Sequence, residues 1–282
     1  MIEIRNDKVL ASIHSVGAEL QELCLVGKEN VIWRKNNKDW NRFAPILFPI
    51  VGRLLNDRYS HLGIFYEMKQ HGFARDCEFT VIHKERDSVS LLLTSNEKTK
   101  IHYPFDFELI QRFELCNNTL KISSNIINTG ETPMLYSIGG HPGFHVEGNL
   151  EDYYLDFGGQ MLLDQHLISG NFYNGEVKPL ELSREFYLSK ELFEVDAIVF
   201  KQVPFNHISF CHTKIGKILT ISCKDWTALG LWTKAEAPFF CIEPWWGWAD
   251  DLSSNGNLES KNGIIALSQH EQRAHEFCIE LA

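Results

Sequence analysis

Between positions 107 and 126 the chain alternates with a period of two. Phe107, Leu109, Phe113 and Leu115 share one side of an extended segment, and Glu108, Ile110, Arg112 and Glu114 share the other. Asn117-Asn118 interrupts the run, and Leu120, Ile122, Ser124 and Ile126 resume it. Successive side chains of a strand point to opposite faces, so this pattern buries one face and predicts a hairpin of two long strands. Shorter runs of the same kind fall at 8–14, 79–82, 89–93, 208–212, 217–222, 228–233, 239–243, 263–267 and 276–281, with Gly, Asn, Asp and Lys clusters between them. A helical stripe is approximated only around 183–192, by Phe186, Leu188, Leu192 and Phe193 with Ser183 as its cap, which predicts one short helix. Nothing alternates strand with helix as a parallel α/β fold requires, and no repeat or low-complexity linker divides the chain. The expectation is a single all-β domain over 1–282, a large antiparallel β-sandwich with few short helices.

Composition narrows the partners. Lys plus Arg number 27 against 37 Asp plus Glu, a net charge of −10. That acidity argues against a nucleic-acid footprint and is neutral toward a small uncharged ligand. No run of about 18 apolar residues is present, so no membrane span is expected. The charged first ten residues do not read as a signal or transit peptide. Cys24, Cys77, Cys116, Cys211, Cys223, Cys241 and Cys278 include no C-x-x-C pair. They read as reduced, buried thiols in a cytoplasmic protein.

Several chemistries lack their motif. There is no phosphate-cradling G-x-x-x-x-G-K-[S/T] or G-x-G-x-x-G, and no G-x-S-x-G nucleophile elbow. His270-Glu271 begins like a zinc-protease helix, but the next histidine, His275, comes one position too late to share its face. His141 and His145 have helical spacing, but Pro142-Gly143 between them breaks a helix. No metal and no cofactor are expected.

Three segments place polar residues in unusual company. In Ile138-Gly139-Gly140-His141-Pro142-Gly143-Phe144 a histidine sits on a glycine-rich bend. It is either a proton-transfer group or a turn-capping histidine. In Phe239-Phe240-Cys241-Ile242-Glu243-Pro244-Trp245-Trp246-Gly247-Trp248 one carboxylate ends an apolar strand beside three tryptophans. A carboxylate so placed needs partners or works as a tuned base, and indole faces stack on sugars. Asp250-Asp251 just beyond reads as a solvated turn. The third block runs from Phe43 to Arg53, followed by His71-Gly72-Phe73-Ala74-Arg75. Taken singly, Arg53 reads as a surface arginine and His71 as a turn histidine.

Together, Pro49-Ile50-Val51-Gly52-Arg53, His71-Gly72-Phe73-Ala74-Arg75, Gly139-Gly140-His141-Pro142-Gly143-Phe144 and Cys241-Ile242-Glu243-Pro244-Trp245 resemble the aldose 1-epimerase (galactose mutarotase-like) family, in its LacX-like branch. They stand in the family's order, and the resemblance extends over essentially the whole chain. It implies a galactose mutarotase-like supersandwich with a sugar cleft, Glu243 as general base and His141 as general acid. It further implies that Arg53 and His71 hold the sugar, with Trp245 against it and Asp196 contacting a ring hydroxyl. Galactose-specific members carry asparagine before the acid histidine; Gly140 stands there here, which leaves the preferred sugar open. Relatives acting on hexose 6-phosphates use extra basic residues, for which Arg42, Arg53 and Arg75 are available.

The implied reaction is mutarotation. A base removes the anomeric hydroxyl proton, an acid protonates the ring oxygen, the ring opens, C1–C2 rotates, and the ring recloses on the other face. On this reading the sugar lies between Glu243 and His141, and Glu243 must titrate below His141. The other readings are a non-catalytic carbohydrate-binding protein, a hexose-6-phosphate 1-epimerase, and a hydrolase pairing Glu243 with a second carboxylate such as Asp196. The expected partner is a small sugar, with neither nucleic acid nor membrane, and the expected assembly a monomer or homodimer.

Overall fold

The two long alternating segments form strands Phe107–Cys116 and Thr119–Asn128, paired antiparallel with Cys116 opposite Thr119. The computed structural model to which they belong describes residues 1–36, 38–234 and 237–282. Burial follows the alternation: every second residue from Phe107 to Leu115 is buried. The polar members of that face, Gln111 and Ser124, satisfy one another through a 2.6 Å hydrogen bond from Ser124 Oγ to Gln111 Oε1.

This hairpin lies within a nine-stranded antiparallel sheet that also takes in His207–His212, Gly216–Ser222 and Gln272–Leu281. A second sheet of eight strands runs Phe172–Leu182, Met161–Ser169, Ile198–Lys201, Ala228–Trp232, Phe239–Trp246, Ile138–Gly140 and Ile46–Leu47, with Gly143–His145 also paired to Phe239–Trp246. Phe240, Ile242 and Trp246 of the second sheet join the same apolar cluster as Phe113, Leu120 and Ile279 of the first. The two large sheets therefore share one core, which makes the fold an all-β sandwich. Helical structure among the described residues is limited to one turn of α-helix, Glu97–Lys100, and short 3-10 turns. No helix there is long and apolar enough to cross a membrane.

The expected helix at 183–192 does not form. Glu185–Tyr187 is a strand, and only Lys190–Phe193 turns, as a 3-10 helix. Phe186 and Leu188 are buried two positions apart, so the apolar pattern there is a strand's alternation. Ser183 caps nothing; its hydroxyl donates to the Glu185 carbonyl. The strand expected at 239–243 runs on to Trp246, and the last one begins at Gln272. All seven cysteines are free thiols, but Cys116 is exposed and Cys77 and Cys278 are half-buried.

Candidate active site

Strand Phe239–Trp246 is buried along its whole length, and its two faces do different things. Phe240, Ile242 and Trp246 enter the core between the sheets. Cys241, Glu243 and Trp245 stand on the opposite face, and Glu243 and Trp245 line a cavity of about 330 Å³. Trp245 fits because its neighbours are glycines. A Cβ on Gly139 or Gly230 would stand 2.6 or 2.7 Å from the indole ring. Gly139 is opposite Trp245, and Gly230 is opposite Glu243, on the strands to either side.

His141 follows Ile138–Gly140 directly and reaches the same cavity. Its backbone N–H donates to the Pro45 carbonyl at 3.1 Å. Its ring is walled by Trp40 at 4.8 Å and by Trp232 and His71 at 5.6 Å, centre to centre. His141 Nε2 lies 3.1 Å from Glu243 Oε2. The contact is too poorly aligned for a hydrogen bond, so Glu243 Oε2 is buried without a partner, and His141 Nδ1, the other ring nitrogen, lacks one as well. Among the described residues six buried side-chain polar atoms lack a partner, and four of them, on Arg75, His141, Glu243 and Trp245, belong to residues lining this cavity. Unsatisfied buried groups are costly, and their concentration at one place makes this cavity the candidate site.

Burial sets the electrostatics. It raises the Glu243 carboxyl well above the ordinary carboxylate range, and neighbouring Asp196 adds to the rise. It pushes His141 down to about 3, with Arg75 acting in the same direction. It takes His71 well below its ordinary value, helped by His141 and Arg75. Asp196, half-buried at the rim, is raised by burial although its Oδ1 accepts from the Ala197 N–H. His71 Nδ1 accepts the Gly52 N–H at 3.1 Å, which leaves Nε2 as the donor of its neutral ring.

Glu243, His141, His71, Asp196 and Trp245 are thus brought together. Arg53 is not. Its guanidinium forms a two-pronged pair with Asp57, at 2.7 and 2.6 Å, and does not line the cavity. The arginine that does is Arg75 of the same early block. Asp250 also departs from expectation. It is buried, paired with Lys261 at 3.3 Å, and accepts the Leu55 N–H at 2.9 Å, so it braces the loop after Arg53 and is not a solvated turn. Two further expectations change. Glu243 and His141 stand side by side with no room for a sugar between them, and burial orders their proton affinities opposite to the expected sequence. Sequence reasoning missed Trp40, Trp232, Asn171 and Tyr173. None sits in a marked motif: Trp40 lies in a loop, Trp232 ends the strand Ala228–Trp232, and Asn171 and Tyr173 sit together at the turn into Phe172–Leu182. Arg75 had a signal, since it closes the His71 motif.

The comparisons with known proteins agree with this architecture. The aldose 1-epimerase family model matches residues 1–261. Protein LacX of Lactococcus lactis subsp. lactis is 30% identical over 284 residues, covering 94% of each chain. The solved structure of a galactose mutarotase related enzyme from Lactobacillus acidophilus superposes with a TM-score of 0.96 at 31% identity, covering 100% of this chain and 97% of that one. A putative glucose-6-phosphate 1-epimerase of Salmonella typhimurium is 27% identical over 169 residues, 55% of this chain and 54% of that protein.

Proposed function

This chain belongs to the aldose 1-epimerase family, and from that premise we propose that it interconverts the α and β anomers of an aldose by acid–base ring opening. The observation that carries the reading is the adjacency of Glu243 and His141, 3.1 Å apart, with unpartnered polar atoms on both residues, which line a cavity walled by tryptophans. The two oxygens that must lose and gain protons are bonded to one carbon, C1. Groups serving them have to approach side by side, as these do.

The directions of the proton affinities are compatible with this chemistry. Between them, neutral His141 and protonated Glu243 hold one proton. Moving it across the contact gives carboxylate and imidazolium, the working base and acid, with no change in total protonation. The carboxylate then takes the proton of the anomeric hydroxyl, the C1–O5 bond breaks, and the imidazolium protonates O5. The open-chain aldehyde rotates about C1–C2 and recloses by the reverse steps. His71 Nε2–H and Asp196 hold hydroxyls, and Trp245 offers a face to the ring's C–H bonds. The seven free thiols suit a reducing compartment such as the cytoplasm.

A second reading narrows the substrate to a hexose 6-phosphate. Arg75 lines the cavity, its Nε is buried without a partner, and among the described residues no carboxylate pairs with it. Its Nη2 donates to the Gln70 carbonyl at 2.6 Å, and a guanidinium in a cleft with no carboxylate partner suits an anionic group. The likeness to a putative glucose-6-phosphate 1-epimerase points the same way.

NMR exchange between anomers tests both. Wild-type protein should accelerate exchange of glucose, galactose or their 6-phosphates, and Arg75→Gln should raise KM for the phosphorylated sugars far more than for the neutral ones. Sugar binding without exchange would replace the enzyme reading with that of a binding protein. Equal effects of Arg75→Gln on both sugar classes would remove the phosphate reading.

A further inference from the structure

Cys241 is the buried nucleophile that this reaction leaves idle. It precedes Glu243 by two positions on strand Phe239–Trp246, shares its face, and is fully buried. Its Sγ, a ring nitrogen of His141 and a carboxylate oxygen of Glu243 all lie within 4.8 Å of one another. Zinc-class ions hold such donors at roughly 2.0–2.3 Å, which places the donors about 3.3–3.8 Å apart around a tetrahedron. Closing the widest gap therefore takes side-chain movements of about 1 Å. One donor is already unclaimed, since Glu243 Oε2 is buried without a hydrogen-bond partner.

Charge and softness specify the ion. A divalent cation with one thiolate, one carboxylate and one neutral imidazole sums to zero, the arrangement a buried site tolerates best. A sulfur–nitrogen–oxygen donor set suits Zn²⁺ and its neighbours and disfavours Mg²⁺ and Ca²⁺, which want oxygen shells. His141 and Glu243 line the cavity and Cys241 lies behind them, so a water entering from the cavity can supply the fourth ligand.

We propose that His141, Cys241 and Glu243 form a binding site for one zinc-class cation, and that its occupancy stops the sugar reaction by engaging the acid and the base together. The ion replaces the thiol proton and the carboxyl proton, and both are released to solvent. Only the inhibitory consequence rests on the epimerase reading; the site itself does not.

The test uses the full chain stripped with chelator and titrated with Co²⁺. Wild type should bind one ion, with a sulfur-to-cobalt charge-transfer band in the near ultraviolet and the strong visible absorption of four-coordinate cobalt. Zn²⁺ should displace it. Cys241→Ser should abolish the charge-transfer band, and Cys116→Ser should keep it. Glu243→Gln should keep the band and weaken Co²⁺ binding by about tenfold or more. Absence of the band in wild type, or its persistence in Cys241→Ser, would overturn the site. Should Cys241→Ser fail to fold, unchanged Co²⁺ affinity in Glu243→Gln overturns it instead. Metal binding in a protein that turns over no sugar would leave the site standing and sink the epimerase reading. Full turnover at saturating Zn²⁺ would overturn the inhibition.

Discussion

Replacing Glu243 with glutamine separates two consequences of one buried carboxyl. Glutamine keeps the shape and loses the basicity, so chelator-treated variant should exchange anomers slower by ~10²–10⁴-fold, the usual contribution of a positioned acid–base group. Stability should move the other way. Glu243 is 1% exposed, and burial lifts its carboxyl well above the ordinary 4.5. Above 4.5 the unfolded chain has released this proton and the folded chain has not. The folded state therefore binds more protons, and its stability falls as pH rises until the folded carboxyl itself ionises. Each pH unit in that window costs about 1.4 kcal/mol. Glutamine has no such dependence. The stability difference between variant and wild type should thus shift in the variant's favour by about 1 kcal/mol from about pH 5 to about pH 6, read by urea unfolding. Parallel pH dependences in the two proteins would show that Glu243 is not held protonated by burial. Near-normal turnover in the variant would remove it as the base.

Three further outcomes follow from the geometry. Gly230→Ala places a methyl 2.7 Å from the Trp245 ring. It should cost about 1–3 kcal/mol through overpacking and raise KM by displacing the indole; unchanged unfolding and kinetics would show that Trp245 has slack. Because His141 is held down to about 3, kcat/KM should stay level as pH falls from the ordinary histidine value of 6.5 toward that of a free carboxyl, and an acid limb centred at 6.5 would mean an ordinary imidazole. Arg53→Ala breaks the pair with Asp57 and the guanidinium's contact with the Phe172 ring, both outside the cavity lining, so sugar kinetics should be unchanged; a large rise in KM would return Arg53 to the site.

The residues that were legible in the sequence carry a local signature. The hairpin around Asn117-Asn118 follows from alternation over ten residues on each side, which forbids a one-residue slip, and the two-residue turn then sets the register that buries Leu109, Phe113, Leu120 and Ile122 together. Glu243 and His141 were visible because a carboxylate in an apolar strand and a histidine among glycines are each costly unless used. The 183–192 segment failed for the opposite reason. Its few apolar residues fit a helix and a strand nearly equally, and pairing of Glu185–Tyr187 to Tyr153–Asp156, 31 residues before it, decided the matter. Such pairing is non-local and leaves no mark in the segment itself.

The amino-acid sequence alone determined that this chain is built from antiparallel strands, because period two is a property of the extended backbone, and it named the carboxylate and the imidazole. Which arginine faces the cavity was decided by the tertiary structure, where Asp57, four residues on, captures Arg53, while Arg75 lines the cavity and donates to the Gln70 carbonyl. So were the side-by-side placement of Glu243 and His141 and the proton affinities that follow from it. Those depend on distances and desolvation among residues a hundred positions apart, which only packing can set.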